Sequence, residues 1–356
     1  MESSDFCLFL IAVCFPFIIF LCYAYGYCSH KLYKAGTVVF DYQKDVPTFL
    51  FLVCRFVLQA LRKTRGQLYD NDLLARNINQ LTFTFYNCRL EPNNLRWYCS
   101  AFGYGWDYPD SSFRDIPLCY PEVLFFRLLA MIVCSEEFRL SPLGLTNVRK
   151  IMRTLQPIDE LKKGPFSLQA SVREYRTVEV GIEVDIALDV TDRASKPVWA
   201  GLVTLLSRDT KKLNKWQPAC GSHEPKEVKT IELNVPWYTG LKCAYASWNY
   251  NPHHLFSSIT KLLGYKHPTV HSLWMISRCL AEIEKHEGVV AVSAPVSVEV
   301  DFKQPLLMPG KAVIKFWETS PKGCTSSRKL YHFRMEESEL QIPLLEGDVT
   351  GVESSS

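Results

Sequence analysis

The sequence predicts an α+β protein made of two similar halves behind an N-terminal apolar span, and three observations carry that expectation. Residues 6–25 form a run of 20 residues without a charge. A helix-prone apolar stretch followed by long alternating strands occurs once between residues 81 and 208 and again between 271 and 318. A polar connector, residues 209–225, separates the two.

Residues 6–25 are long enough to cross a bilayer core as a helix. Glu2 and Asp5 precede the run and no small-x-small cleavage pattern follows it, which favours an anchor over a cleaved signal. Lys31, Lys34, Arg55, Arg62, Lys63 and Arg65 lie behind it, so the positive-inside tendency places the C-terminal body in the cytosol as that of a single-pass membrane protein. The 13 Cys residues form no C-x-x-C pair and are odd in number, which agrees with a reducing compartment. Residues 48–65 predict a basic amphipathic helix, lying at the headgroup level or packed on the body.

In the first half, residues 120–134 predict a helix. Residues 180–190 predict a strand, with Ile182, Val184, Ile186 and Leu188 on one face and Glu183, Asp185 and Asp189 on the other. A turn at 191–193 leads to a second strand over 196–208. In the second half, Leu273, Ile276, Leu280 and Ile283 recur three or four apart, one stripe of a helix over 271–286 that Gly288 ends. Strands over 296–302 and 311–318 follow, and each half reads as a helix that its strands must wrap. The domains expected are an anchor at 1–28, a juxtamembrane segment at 29–75, a non-catalytic half at 76–212, a second half at 225–335 and a disordered acidic tail at 336–356.

At 356 residues and 47% hydrophobic, the chain can bury a large core. A net charge of +3 with no basic block interleaved with exposed aromatics excludes nucleic acid as a partner. His253, His254, His267 and His271 cluster, which raises a metal site. Pro268 breaks a shared helical face, however, and no carboxylate or Cys stands at ligand spacing, so no metal is expected.

Residues 249–254, Asn-Tyr-Asn-Pro-His-His, pack polar and ring-bearing groups between a strand-like and a helix-like run. The stretch 243–284 resembles the hydratase motif of the MaoC-like, (R)-specific enoyl-CoA hydratase (hydratase 2) family. That motif reads Y-A-A-V-S-G-D-x-N-P-I-H, then G-F/Y-x-x-P-I-x-H-G-M-W into a helix. Ser247, Asn251, Pro252, His254, Gly264, Tyr265, Pro268, His271 and Trp274 fall at matching places, and residues 300–306 look like the family's F-K-x-P-L strand. Residues 117–130 and 141–158 look like the non-catalytic partner domain of two-domain members, so the resemblance spans about residues 75–340.

The resemblance implies a double hot-dog fold, two long helices each wrapped by a curved antiparallel sheet, with an acyl-CoA tunnel between the halves. It also implies that the motif's Asp and His activate a water, while the N–H after the second His polarises a thioester carbonyl. Three departures bear on the chemistry: Asn249 stands for the Asp, Ser272 for the Gly, and His253 for an aliphatic residue. The candidate catalytic residues are therefore His254 and Asn249, with Ser247, Asn251, His271 and Ser272 as substrate-binding residues. No cofactor is expected beyond acyl-CoA as substrate or ligand.

Two readings of function stand. One is a membrane-anchored hydro-lyase of 2-enoyl and 3-hydroxyacyl thioesters, an enoyl-CoA hydratase or 3-hydroxyacyl dehydratase of reduced or altered activity. The other is an inactive pseudoenzyme that binds acyl thioesters or serves as a scaffold. The partners expected are an acyl thioester, a membrane and a second copy of the chain. With no charged amphipathic N-terminus and no S-K-L or K-D-E-L ending, the expected membrane is the endoplasmic reticulum.

Overall fold

The computed structural model describes residues 15–16, 18–20, 37–44, 46–69, 81–209, 227–262, 265–319 and 330–351. All but five residues of the apolar run 6–25 lie outside these, and among the described residues no helix is long and apolar enough to cross a membrane.

In chain order the elements begin with β1 (Thr37–Asp41), α1 (Phe49–Arg62), β2 (Thr82–Cys88), α2 (Pro92–Phe102), α3 (Tyr120–Leu124), α4 (Phe126–Val133) and β3 (Leu145–Thr154). The first half closes with β4 (Phe166–Val178), β5 (Gly181–Thr191) and β6 (Pro197–Arg208). Then come β7 (Lys229–Val235), α5 (Thr239–Ser247), α6 (Ser257–Leu262), α7 (Ser272–Glu287), β8 (Val296–Phe302), β9 (Gly310–Thr319), β10 (Leu330–Glu337) and β11 (Pro343–Gly351).

The strands form one sheet in the order β1-β2-β4-β5-β6-β3-β8-β11-β10-β9-β7. Leaving β1 aside, each half lays its strands down as first, third, fourth, fifth, second, with its helices inserted between the first and second. The halves are thus the same unit twice, joined where their second strands pair antiparallel, Lys150 opposite Val300 and Met152 opposite Val298. This is the double hot-dog expected, and both helix layers lie on the apolar inner face.

The alternation read from the sequence places Ile182, Val184, Ile186 and Leu188 inside, and Asp185 on the other face is also buried, held by Arg176 and by a 2.7 Å hydrogen bond from Thr204 Oγ1. The stripe Leu273, Ile276, Leu280 and Ile283 is core, and Gly288 ends α7 with φ +89°, a conformation that costs glycine nothing. The first half holds α7 in place. Trp274 Nε1 donates to Ala101 O at 3.0 Å, the Tyr98 and Ser277 hydroxyls meet at 2.7 Å, and Tyr108 donates to Glu284 at 2.9 Å. Near the junction of the halves, Lys150 on β3 forms a buried ion pair with Glu122 on α3.

Four expectations are corrected. Each half opens with a strand, β2 or β7, before its helices; the helices do not come first. The helix over 120–134 is two, because at Phe125 (ψ −7°) the chain makes a tight turn, its N–H bonding Glu122 O. The tail is not loose over 343–351: β11 inserts between β8 and β10, with Leu344, Leu345 and Val349 buried while Glu346 and Asp348 point away. That extends the second half beyond 335. Within the juxtamembrane segment, β1 pairs parallel to β2 at the sheet edge.

The helix expected over 48–65 is α1, capped by Thr48, whose Oγ1 accepts from Phe51 N at 3.4 Å. It packs on the body by the side that carries Arg55 and Gln59 together with Phe51, Leu52 and Cys54. Lys63, just past its end, is buried and donates to the carbonyls of Ser135 (3.2 Å), Glu136 (3.4 Å) and Phe138, while Arg55 reaches Glu136 at 3.4 Å. Burial pushes the Lys63 ammonium down to about 8.

Candidate functional site

The site is built on the connection from α5 to α7. Helix α5 ends at Trp248, which takes φ +56° in the left-handed region where the family motif has glycine. In the family motif the glycine marks this turn; the Trp in its place carries no such signal. Asn249 follows, half-buried, and its Oδ1 accepts from Asn251 N at 3.3 Å, an Asx-type turn. Asn251 O then accepts from His254 N at 3.0 Å, closing the short 3₁₀ turn Pro252–His254. Gly240, in the first turn of α5, lets that helix lie against this turn, since a Cβ there would collide with the His254 carbonyl.

The segment before α7 runs beside this turn. Thr269 N donates to His253 O at 3.2 Å, and Val270 N and Met308 N tie the same segment to the chain entering β9. Three imidazoles therefore lie in a row, His254 stacked on His271 and tilted against His253. The His253 and His254 rings are 3.9 Å apart and the His254 and His271 rings 3.7 Å apart, centre to centre.

His254 Nδ1 lies 2.7 Å from Thr269 O and 3.3 Å from Thr269 Oγ1. A carbonyl can only accept, so Nδ1 carries the proton and Nε2 keeps its lone pair. Burial lowers the pKa of all three rings, and their proximity adds to it for His254 and His271. His253 falls to about 4, His271 to about 3, and His254 well below the usual range. At neutral pH the row is uncharged and His254 is a free base.

The other candidates are placed less directly. The Ser247 hydroxyl is buried and donates to Cys243 O at 2.7 Å within its own helix. His271 is buried with Nε2 lacking a partner, and its carbonyl accepts from Trp274 N and Met275 N. Ser272 opens α7, and its amide and that of Leu273 have no acceptor within the helix. The fold thus brings His253, His254 and His271 together, with Asn249 and Asn251 on the adjoining turn and Ser272 next to His271. No hydrogen bond links Asn249 to His254 among those described. Thr269, which fixes the His254 tautomer through its backbone, carried no sequence signal. Among the described residues no three His, Cys, Asp or Glu side chains converge to hold a metal.

Outside the turn, Tyr238, Leu241, Tyr245 and Trp248 form an exposed row along α5. Trp97 joins it by edge-on contacts to Tyr245 at 5.0 Å and to Trp106 at 5.2 Å.

The neutral row makes stability acid-sensitive. In the unfolded chain these imidazoles take up protons near pH 6.5, whereas the fold refuses them to His253 until about 4 and to His271 until about 3, and holds His254 well below its usual range. The urea midpoint is expected to hold above about pH 7 and to fall between about 6.5 and 4, and the slope should be shallower in a His253→Asn, His271→Asn variant. Equal slopes in the two proteins would remove the row as the cause.

No protein-family model matches the sequence, and no curated protein matches it. Solved structures do match its fold. HtdX of Mycobacterium tuberculosis is 20% identical over 76% of this chain and 100% of its own, with a TM-score of 0.59. A MaoC-like dehydratase from Phytophthora capsici is 16% identical over 78% of this chain and 96% of its own, with a TM-score of 0.59. The peroxisomal multifunctional enzyme type 2 of Drosophila melanogaster is 13% identical over 76% of this chain and 48% of its own, with a TM-score of 0.57. At these identities the likeness establishes the fold, that of MaoC-like dehydratases.

Proposed function

We propose that this chain is a membrane-anchored acyl-thioester protein whose site hydrates 2-enoyl thioesters, or dehydrates 3-hydroxyacyl thioesters, with His254 as its single base. The observation that carries this is the Nδ1 to Thr269 carbonyl bond, which leaves Nε2 unprotonated. In hydration, the water oxygen bonds the β-carbon of the enoyl group and the water's proton passes to Nε2. The imidazolium then returns a proton to the α-carbon, so water is added and the base is regenerated. The Ser272 amide stands where the resemblance has the N–H that polarises the thioester carbonyl. The aromatic row along α5 suits the approach of an apolar acyl chain.

The second reading, an inactive binding module, is favoured by Asn249. Its amide accepts no proton at neutral pH, and its Oδ1 is engaged in its own turn. The anchor at residues 6–25 and a cytosolic body belong to the same proposal, on the charge pattern around the run, with the endoplasmic reticulum as the membrane proposed. A second copy is not required to complete the sheet, since both halves lie in one chain.

Titration calorimetry of the full chain with a trans-2-enoyl-CoA, alongside a hydration assay, tests the proposal. Binding with slow turnover that His254→Ala removes is the expected result. Binding without turnover would leave the module, and no binding would overturn both ligand-based readings and leave a scaffold.

A further inference from the structure

Helix α1 is apolar on its outward side, which is unusual for a surface helix in water. Its buried side carries Arg55 and Gln59 beside Phe51, Leu52 and Cys54, with Lys63 beneath its end. Its outward side carries Phe49 (54% exposed), Leu50 (67%), Val53 (41%), Val57 (49%) and Leu61 (80%). At 3.6 residues per turn these five fall in one arc of about 120°, and no charged residue of the helix lies within it. The polar groups cannot turn outward to cover the arc, because Arg55 and Lys63 are fixed to Glu136 and to the carbonyls that follow α4.

We infer that this outward face docks in the headgroup and acyl boundary of a membrane, forming a second contact beside the N-terminal run. Three observations select a bilayer as the occupant. The uncharged run 6–25 ends 12 residues before β1, a tether of at most about 40 Å that keeps the helix near any membrane the run enters. Exposed Lys44 precedes the helix, a cation that complements anionic headgroups. The arc itself is aliphatic and aromatic with no polar side chain, which suits hydrocarbon better than a wet protein interface. With its other side tied to the body, the docked helix would fix how the globular part faces the membrane. The inference rests on the anchor reading, and its test separates the two.

The full chain is reconstituted in phosphatidylcholine and phosphatidylserine vesicles containing a phospholipid with a photoactivatable diazirine on its acyl chain, and adducts are mapped by mass spectrometry. Adducts are expected on peptides from both 6–25 and 49–61. A Leu50→Glu, Val57→Glu, Leu61→Glu variant, which alters only exposed positions, should lose the second set and keep the first. Adducts on 6–25 alone would overturn the docking and leave the anchor. In that case, slow hydrogen exchange across α1 in the vesicles would assign its cover to the run itself or to a second copy. Adducts on neither would overturn both, and adducts on 49–61 alone would keep the docking and remove the anchor.

Discussion

Asn249→Asp is expected to raise hydration of a trans-2-enoyl thioester by about 10²–10⁴-fold, the range a positioned acid–base group supplies. The local geometry accepts the change, because an Asp oxygen can take the Asn251 N–H that Asn249 Oδ1 now accepts, and more strongly for being charged. Its charge would also raise the His254 pKa from its present depressed position toward neutrality, letting the imidazole both take and return a proton. His254→Ala in the Asp background should remove the gain. A steady-state comparison of the three proteins decides the matter. No gain in a variant that still binds acyl-CoA would mean that Ser272 and the His253 ring have closed the reaction geometry.

The largest stability effect is expected at the buried pair of Glu122 and Lys150. Glu122→Ala leaves the Lys150 ammonium buried without its counter-charge, and losses of this kind are about 3–5 kcal/mol. A Glu122→Leu, Lys150→Met double variant removes both charges and should recover most of that loss. Urea denaturation of the two variants measures the difference. A double variant as unstable as the single one would show that packing at these positions, and not the unpaired charge, sets the cost.

The core-facing stripe of α7 and the alternation of β5 were legible because burial on one face leaves a period in the sequence. The motif around His254 was legible because its proline and histidines sit at fixed spacing. β2 and β7 carry the same alternation as β5, Phe83 and Phe85 with Thr82 and Thr84, and Ile231, Leu233 and Val235 with Glu232 and Asn234, so they too were legible, although a helix-first order leaves them out. β11 was hidden, with Glu346 and Asp348 giving a buried strand the composition of a tail. For α1, periodicity shows that the helix has two faces but not which one turns inward, and the partners that decide it, Glu136 and the carbonyls after α4, are some 80 residues away. The tautomer of His254 depends on a backbone oxygen, and a backbone oxygen has no letter in the sequence.

The seam between β3 and β8 also bears on how the chain is made. On the ribosome β3 emerges early, yet the strand that covers its free edge starts roughly 140 residues later, a wait of about 7–28 s at 5–20 residues per second. Throughout that interval the nascent first half presents an open edge backed by one side of an unfinished core, with Lys150 and Met152 not yet opposite Val300 and Val298. The chain therefore passes through a stage that invites pairing with a neighbouring nascent copy, and Arg149 and Arg153, projecting from the outer face of that strand, place positive charge along the edge and discourage it.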